Sequence, residues 1–257
     1  MGTPSRQDLE LNETRWWSNW AHAVWLGSSS CLLTSEYLRE PFFNRACILN
    51  CRKAGATVAW AETRFMSQST SSTITIFDSC TKAADGLRAS GYRPVDTMTV
   101  LLSIGPGTSQ SPAQITVSKR SDAARWTHAY LEAFYDGQEL APHITPIVDR
   151  LLKLSAVTLL EASVGGDTAG VLAIFRTVGL AGVYCVGTIP EHRRKGVAAA
   201  LLSHAQAIAE AEGRHLFLQS LASDGTLSYY LERGFRALYS KKLLSKEITY
   251  ANKSKTV

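Results

Sequence analysis

Several protein classes leave marks that this chain does not carry. No Ser or Cys stands on a Gly-x-Ser-x-Gly elbow, so an activated nucleophile of the hydrolase kind is not indicated. The five cysteines, Cys31, Cys47, Cys51, Cys80 and Cys185, are scattered, and Cys47-x3-Cys51 has no second close pair to complete a zinc site. An odd count without paired spacing favours reduced, mostly buried thiols and a cytoplasmic setting. The opening residues, MGTPSRQDLELNE, hold no apolar secretory core. The most apolar window, Gly170 to Ile189, is broken by Arg176 and several glycines. It fits two paired strands better than a membrane span, so no membrane partner is expected. Charge is sparse too, at 19% of residues. The net charge is +5, but Lys and Arg form no long stripe, which argues against nucleic acid as a partner.

What is present points to a packed α/β enzyme. Apolar residues make up 45% of the 257, enough for a real core and enough chain for two small domains. The most informative stretch is Val183 to Ala200, VYCVGTIPEHRRKGVAAA. It predicts a buried strand, a polar turn with Arg193, Arg194, Lys195 and Gly196, and then the start of a helix at Val197, Ala198 and Ala199. A strand that feeds a helix through such a turn aims several unpaired backbone N–H groups at one spot. The helix dipole adds positive charge there, which suits a phosphate or pyrophosphate. Downstream come a helix Ala198–Glu212, Gly213, an apolar strand His215–Leu221, and the segment Leu227-Ser228-Tyr229-Tyr230-Leu231-Glu232-Arg233-Gly234-Phe235.

The Arg-x-x-Gly-x-Ala run from Arg193 to Ala198 resembles the acetyl-CoA signature of the GNAT superfamily of N-acetyltransferases. Tyr230 to Phe235 resembles that family's closing Tyr-x-x-x-Gly-Phe motif. Both stand in the right order within strand–helix–strand–helix, and context is what confirms a motif. The resemblance implies an α/β (α+β) GNAT fold, with a mixed, mostly antiparallel central sheet flanked by helices. From Ile115 the elements follow the family: strand Ile115–Arg120, a helix capped at Ser121-Asp122 and running to Phe134, a hairpin Val157–Ser163 and Gly170–Arg176, and strand Gly182–Thr188. The last strand and His215–Leu221 would splay apart to admit the pantetheine arm.

A Gly-, Pro- and Ser-rich stretch, Ile104 to Pro112, is the best linker candidate. Before it, Thr14–Leu26, with Trp16, Trp17, Trp20 and Trp25, predicts an amphipathic helix. Thr57–Met66, Ser72–Asp78 and Met98–Ser103 predict strands, and Ala83–Ser90 a short helix. Leu87 to Pro94 echoes Leu231 to Arg236, as in tandem GNAT proteins. Arg52-Lys53-Ala54-Gly55-Ala56-Thr57 imitates the phosphate signature loosely, but is expected to lead into a strand, without a helix dipole. The expected organisation is a degenerate GNAT-like lobe at 1–104, a linker at 105–114, a catalytic GNAT domain at 115–247 and a solvated tail at 248–257. The lysines from Lys241 onward are expected to be solvated as well.

The resemblance places the pantetheine along Val186, Gly187 and Thr188, and the pyrophosphate on the run through Arg193, Arg194, Lys195, Gly196, Val197, Ala198 and Ala199. Ser223 stands where many relatives carry a pantetheine-binding Asn. Tyr230, rather than Tyr229, would donate a proton to the departing CoA sulfur. A general base is missing: Tyr184 and Cys185 occupy the strand positions where many relatives carry Glu. Glu132, Asp136, Glu161, Glu191 and His192 are the candidates, beside deprotonation through water. The loop Tyr135–Pro146 would line the acceptor pocket. The implied activity is acetyl transfer from acetyl-CoA directly to the amine of a small molecule, by a monomer or homodimer. A protein N-terminus or lysine is the alternative acceptor. A non-catalytic CoA-binding regulator is the alternative of another class.

Overall fold

The structure is a computed structural model, and it describes residues 2–66, 71–105 and 115–247. Seven helices and eleven strands follow one another in these residues. Helix α1 is Arg6–Trp17, followed by strands β1 (His22–Leu26), β2 (Ser30–Thr34) and β3 (Arg45–Ile48). Then come α2 (Ala54–Met66), β4 (Ser72–Phe77), α3 (Thr81–Ala89) and β5 (Arg93–Ser103). Next are β6 (Ile115–Lys119), α4 (Ala123–Phe134), α5 (Ala141–Leu152), β7 (Val157–Val164) and β8 (Asp167–Thr177). The chain ends in β9 (Leu180–Thr188), α6 (Val197–Ala211), β10 (His215–Leu221), α7 (Leu227–Leu231) and β11 (Phe235–Lys246). Two compact units form: Met1–Asn19 with Thr99–Leu238, and Trp20–Met98 with Tyr239–Val257. Strands β5 and β11 each contribute to both.

In the larger unit, β6, β7, β8 and β9 pair antiparallel in sequence order, and β10 joins β9 parallel. The β7–β8 hairpin turns through Gly165 and Gly166, both at positive φ. Helix α6 covers one face. Its Val197, Leu201, Leu202, Ala205 and Ala209 pack with Leu160, Leu172, Ile174, Val183, Leu216 and Leu218 in one buried cluster. Cutting Leu201, fully buried, to Ala would cost about 2–5 kcal/mol. Helices α4 and α5 pack against each other, α4 against β8 and β9, and α5 against β7. Asp122 caps α4 by accepting the Arg125 N–H at 3.1 Å, as its position before an apolar run predicts.

In the smaller unit, β1, β2 and β3 pair antiparallel, β3 and β4 parallel, and β4 with the end of β11 antiparallel. Ala54, Ala61, Phe65 and Leu87 pack with Ile48, Ile74 and Ile76. Ala54, Val58, Ala61 and Phe65 recur at helical spacing, which is why Thr57–Met66 is helical despite its β-branched and aromatic residues.

Other sequence expectations are corrected as well. Thr14–Leu26 is not one helix: α1 starts at a Ser5 cap and ends at Trp17, and β1 follows. The Asn19 side chain bonds the carbonyls of Arg15 and Trp16 and closes that end. The three strands β1 to β3 carried no strand reading. The loop Tyr135–Pro146 already turns helical at Ala141, with Pro142 in the first turn where its missing N–H costs nothing. Cys51 and Cys80 are joined in a disulfide across 29 residues, so these two thiols are not reduced. Their spacing carries no signal; they meet because the turn after β3 and the start of α3 fall together. Lys241 to Lys246 lie in β11, with Lys241, Leu243 and Leu244 buried, so this stretch is not a solvated tail. The expected linker, apart from Gly105, and the tail at 248–257 fall outside the described residues.

Candidate active site

The sheet of the larger unit opens at one end. Strands β9 and β10 pair only at Leu180, Ala181 and Gly182 against His215, Leu216 and Phe217. Beyond Gly182 the two strands have no further register partners, so they diverge. Strand β9 also carries a bulge, because the β8–β9 register slips by one between Val171 and Ala173. Cys185 takes up the slip at φ 53°, a left-handed conformation rare for a residue other than glycine. Bulges of this kind re-aim backbone groups next to functional sites.

Past Thr188 the chain makes a short 3-10 turn, Pro190–His192, and then enters α6. Two left-handed residues shape the entry, Arg194 at φ 64° and Gly196 at φ 90°. Gly196 is the residue just outside the helix, and no side chain caps it. The first intrahelical bond runs from the Ala200 N–H to the Gly196 carbonyl at 3.0 Å. The N–H groups of Val197, Ala198 and Ala199 therefore have no partner inside the helix. Arg193 is fastened beside them, its guanidinium donating to the carbonyls of Thr188 and Ala133, each at 3.3 Å. Arg194 and Lys195 are exposed. The Val197 side chain is buried in the core, and Gly170 has no room for a Cβ, which would sit 2.7 Å from it. Val197 and Ala199 thus offer backbone alone, and small residues keep the entry thin.

Among the other expected positions, Val186 and Thr188 are half-buried on β9. Gly187 is buried under the end of α4, where a Cβ would lie 2.6 Å from the Phe134 ring and 2.7 Å from Ala133. Ser223 sits in the exposed turn after β10. Tyr230 on α7 is buried, its ring 6.1 Å from Phe235 and 5.6 Å from Tyr229. Burial pushes its phenol up to about 12, with the nearby Tyr229 and Asp224 adding to the rise and a hydrogen bond with Thr226 opposing it. Thr226 in turn shares a 2.9 Å hydrogen bond with Ser220 of β10. Tyr229 is engaged elsewhere, with the Arg233 guanidinium 3.4 Å from its ring centre. Asp224 does not cap α7, which begins at Thr226 without a side-chain cap.

The candidate bases are mostly committed. Glu161 is fully buried on β7 and held by Arg120 at 2.8 Å and Arg125 at 2.9 Å, with Thr168 also donating to it. A carboxylate fixed by two guanidiniums keeps its charge and is a poor proton acceptor. Glu132 accepts from the Gln138 amide at 2.8 Å. Asp136 and Glu191 are exposed. His192 keeps a buried Nδ1 without a hydrogen-bond partner. Burial pushes the Cys185 thiol up, away from thiolate chemistry.

The sequence gave no warning of α1 here. Its Asn12 accepts from the Tyr184 hydroxyl at 2.7 Å and donates to Thr177 Oγ1 at 2.9 Å. Trp16 stacks on Tyr184 with ring centres 4.9 Å apart. Tyr184 thus fills the strand position of the expected base, bonded and buried. The Ser5-x-x-Asp8 cap was the available signal for this helix.

A diverging parallel strand pair, a bulged strand and an open, uncapped helix entry define the class: an acyltransferase with the GNAT architecture. Residues 123–235 match the model of the acetyltransferase (GNAT) family, so the chain carries a GNAT-family acetyltransferase domain. Solved structures with the same fold include a GCN5-related N-acetyltransferase from Kribbella flavida. It is 14% identical, with 97% of this chain and 98% of that one covered at a TM-score of 0.71. A GCN5-related N-acetyltransferase from Sphaerobacter thermophilus is 20% identical over 91% of this chain and 84% of that one, at 0.65. A tandem GNAT protein from the clavulanic acid biosynthesis pathway is 12% identical over 95% and 97%, at 0.59. At these identities the likeness is one of fold. No curated protein matches the sequence. No helix of the described residues is long and apolar enough to cross a membrane.

Proposed function

We propose that the larger unit binds acetyl-CoA and transfers its acetyl group directly to the amine of a small molecule. The observation that carries this is the entry to α6, where Gly196 at φ 90° leaves three backbone N–H groups open beside Arg193, Arg194 and Lys195. A pyrophosphate fits such a donor set. The pantetheine arm would run along Val186, Gly187 and Thr188, into the divergence of β9 and β10, with Ser223 at its far side. The amine nitrogen attacks the thioester carbonyl; the C–N bond forms and the C–S bond breaks. Tyr230 is the group that protonates the departing sulfur. A phenol held up at about 12 stays protonated throughout the working range, which suits a donor and not a base. No free carboxylate competes for the base role, so the amine loses its proton to water. Asp136 and Glu139, both exposed ahead of α5, would attract a cationic acceptor.

Calorimetric titration of acetyl-CoA into the protein tests this reading. Micromolar binding that Gly196→Glu abolishes is the expected result. Absence of binding by the parent would overturn it. Binding without turnover across a panel of amines and peptides would leave a regulator instead. Turnover on peptides alone would move the acceptor to protein.

A further inference from the structure

The smaller unit holds a cleft of about 950 Å3 that has no part in the acetyl-transfer reading. It lies at the end of that unit's sheet where β3 and β4 begin and β2 and β11 finish. Thr34 at the end of β2 lies opposite His22, and Thr73 on β4 lies opposite Ser245 on β11. The turn that imitates the phosphate signature, at Arg52 to Thr57, follows the other end of β3. The cleft is therefore a separate place in the fold.

Its lining is chemically one-sided. Arg39 and Arg64 contribute two guanidiniums, His22 an imidazole, and Glu36 the one carboxylate. Thr34, Ser35, Ser71, Thr73 and Ser245 line it with hydroxyls, and no aromatic ring does. Among the described residues Arg39 and Glu36 make no ion pair. The loop that carries both is fixed from behind. Buried Asn44 accepts from the Ser35 N–H at 2.8 Å and donates to the Leu38 carbonyl at 2.6 Å. The Leu38 N–H donates to Ser35 Oγ at 3.1 Å. Thr73 and Ser245 already share a hydrogen bond of 3.3 Å across the floor. A pre-formed polar wall of this kind lowers the ordering cost of binding.

We propose that this cleft is a second ligand site, and that it takes a hydroxyl-rich small anion, a polyol bearing a phosphate or a carboxylate. Guanidinium forks match the paired oxygens of either anion. The hydroxyl row and Glu36 match the hydroxyls of a polyol, as acceptors and donors. The absence of aromatic lining removes the stacking that a nucleobase needs.

The experiment is calorimetric titration of the intact protein with glucose 6-phosphate, gluconate, inorganic phosphate and glucose. The expected result is sub-millimolar binding of an anionic polyol, at least 10-fold tighter than inorganic phosphate, with none for glucose. Preference between the first two tells whether phosphate or carboxylate is the anion read. The Arg39→Ala/Arg64→Ala variant should weaken that binding at least 10-fold while its acetyl-CoA titration stays unchanged. If the double variant melts early, the exposed single change Arg39→Gln serves in its place, with a smaller loss in the same direction. No binding of either polyol anion, equal binding of glucose, or binding that survives both variants overturns the proposal.

Discussion

Two turns in this chain are built alike and end differently. Each follows a sheet strand, carries Arg-x-x-Gly, and enters a helix of at least three turns: Arg193 to Gly196 into α6, and Arg52 to Gly55 into α2. In the first, glycine stands outside the helix at φ 90° and no side chain caps the amides. In the second, Gly55 is already the second residue of the helix, and Asn50 closes the turn. Its side chain accepts the Arg52 N–H at 3.0 Å and its carbonyl accepts the Lys53 N–H at 3.0 Å. The Cys51–Cys80 disulfide then pins the turn to α3. A motif read as letters cannot tell these apart. What separates an anion site from a helix start is whether the amides are left open, and one residue of offset in the glycine decides it.

The largest expected effect tests that contrast directly. Gly196→Glu places a carboxylate among the open amides at a backbone angle that disfavours any side chain, and should abolish acetyl-CoA binding. Gly55→Glu, at a position with open space around it, should leave that binding unchanged in the same titration. Equal effects from both would mean that the two turns share the ligand.

Next in size is Tyr230→Phe. Losing a general acid should lower kcat by about 100-fold or more, with the acetyl-CoA dissociation constant retained. The pH profile carries a second check. Because burial raises the phenol to about 12, Tyr230 stays protonated up to that pH and its loss of charge neutrality lies above it. The parent's kcat should therefore show no basic fall assignable to Tyr230 below about pH 12. A fall near pH 10 that vanishes in the Phe variant would refute the buried-acid assignment.

The disulfide comes third. Closing a loop of 29 residues stabilises by about 3–4 kcal/mol in the chain-entropy account. Reductant should lower the melting temperature of the smaller unit, and a Cys51→Ser/Cys80→Ser variant should melt low with or without reductant. Binding of acetyl-CoA should not move, since the larger unit holds none of these atoms.

The same comparison shows what the sequence made legible. From Ile115 to Phe235 it predicted nearly every element, because apolar runs there are cleanly punctuated by Asp122, Gly165-Gly166, Gly196 and Gly213. It also placed Tyr230 and the α6 entry. The smaller unit was far less readable. Thr57, Val58, Trp60 and Phe65 are strand-type residues by composition, yet their helical spacing wins once one face packs on the sheet. Helix α1 was shifted because Trp20 and Trp25 extend an aromatic run that belongs to a helix, a turn and a strand in succession. The part of the site made by Asn12 and Trp16 on Tyr184 joins residues more than 160 positions apart, a pairing that no local pattern encodes.

The smallest effect is the sharpest on the backbone argument, since it adds only a methyl. At Gly196 a methyl forces an ordinary residue into φ 90°, which costs about 1–2 kcal/mol. At Gly55 the same methyl enters a helix with nothing within 4 Å, and replaces the weakest helix former short of proline with the strongest. Gly196→Ala should therefore lower the melting temperature, and Gly55→Ala should leave it level or raise it by up to about 1 kcal/mol of stability. Opposite signs would establish that the two glycines do different work in two turns of the same wording. If Gly196→Ala is neutral, the left-handed entry is not needed, and the open amides lose their structural cause.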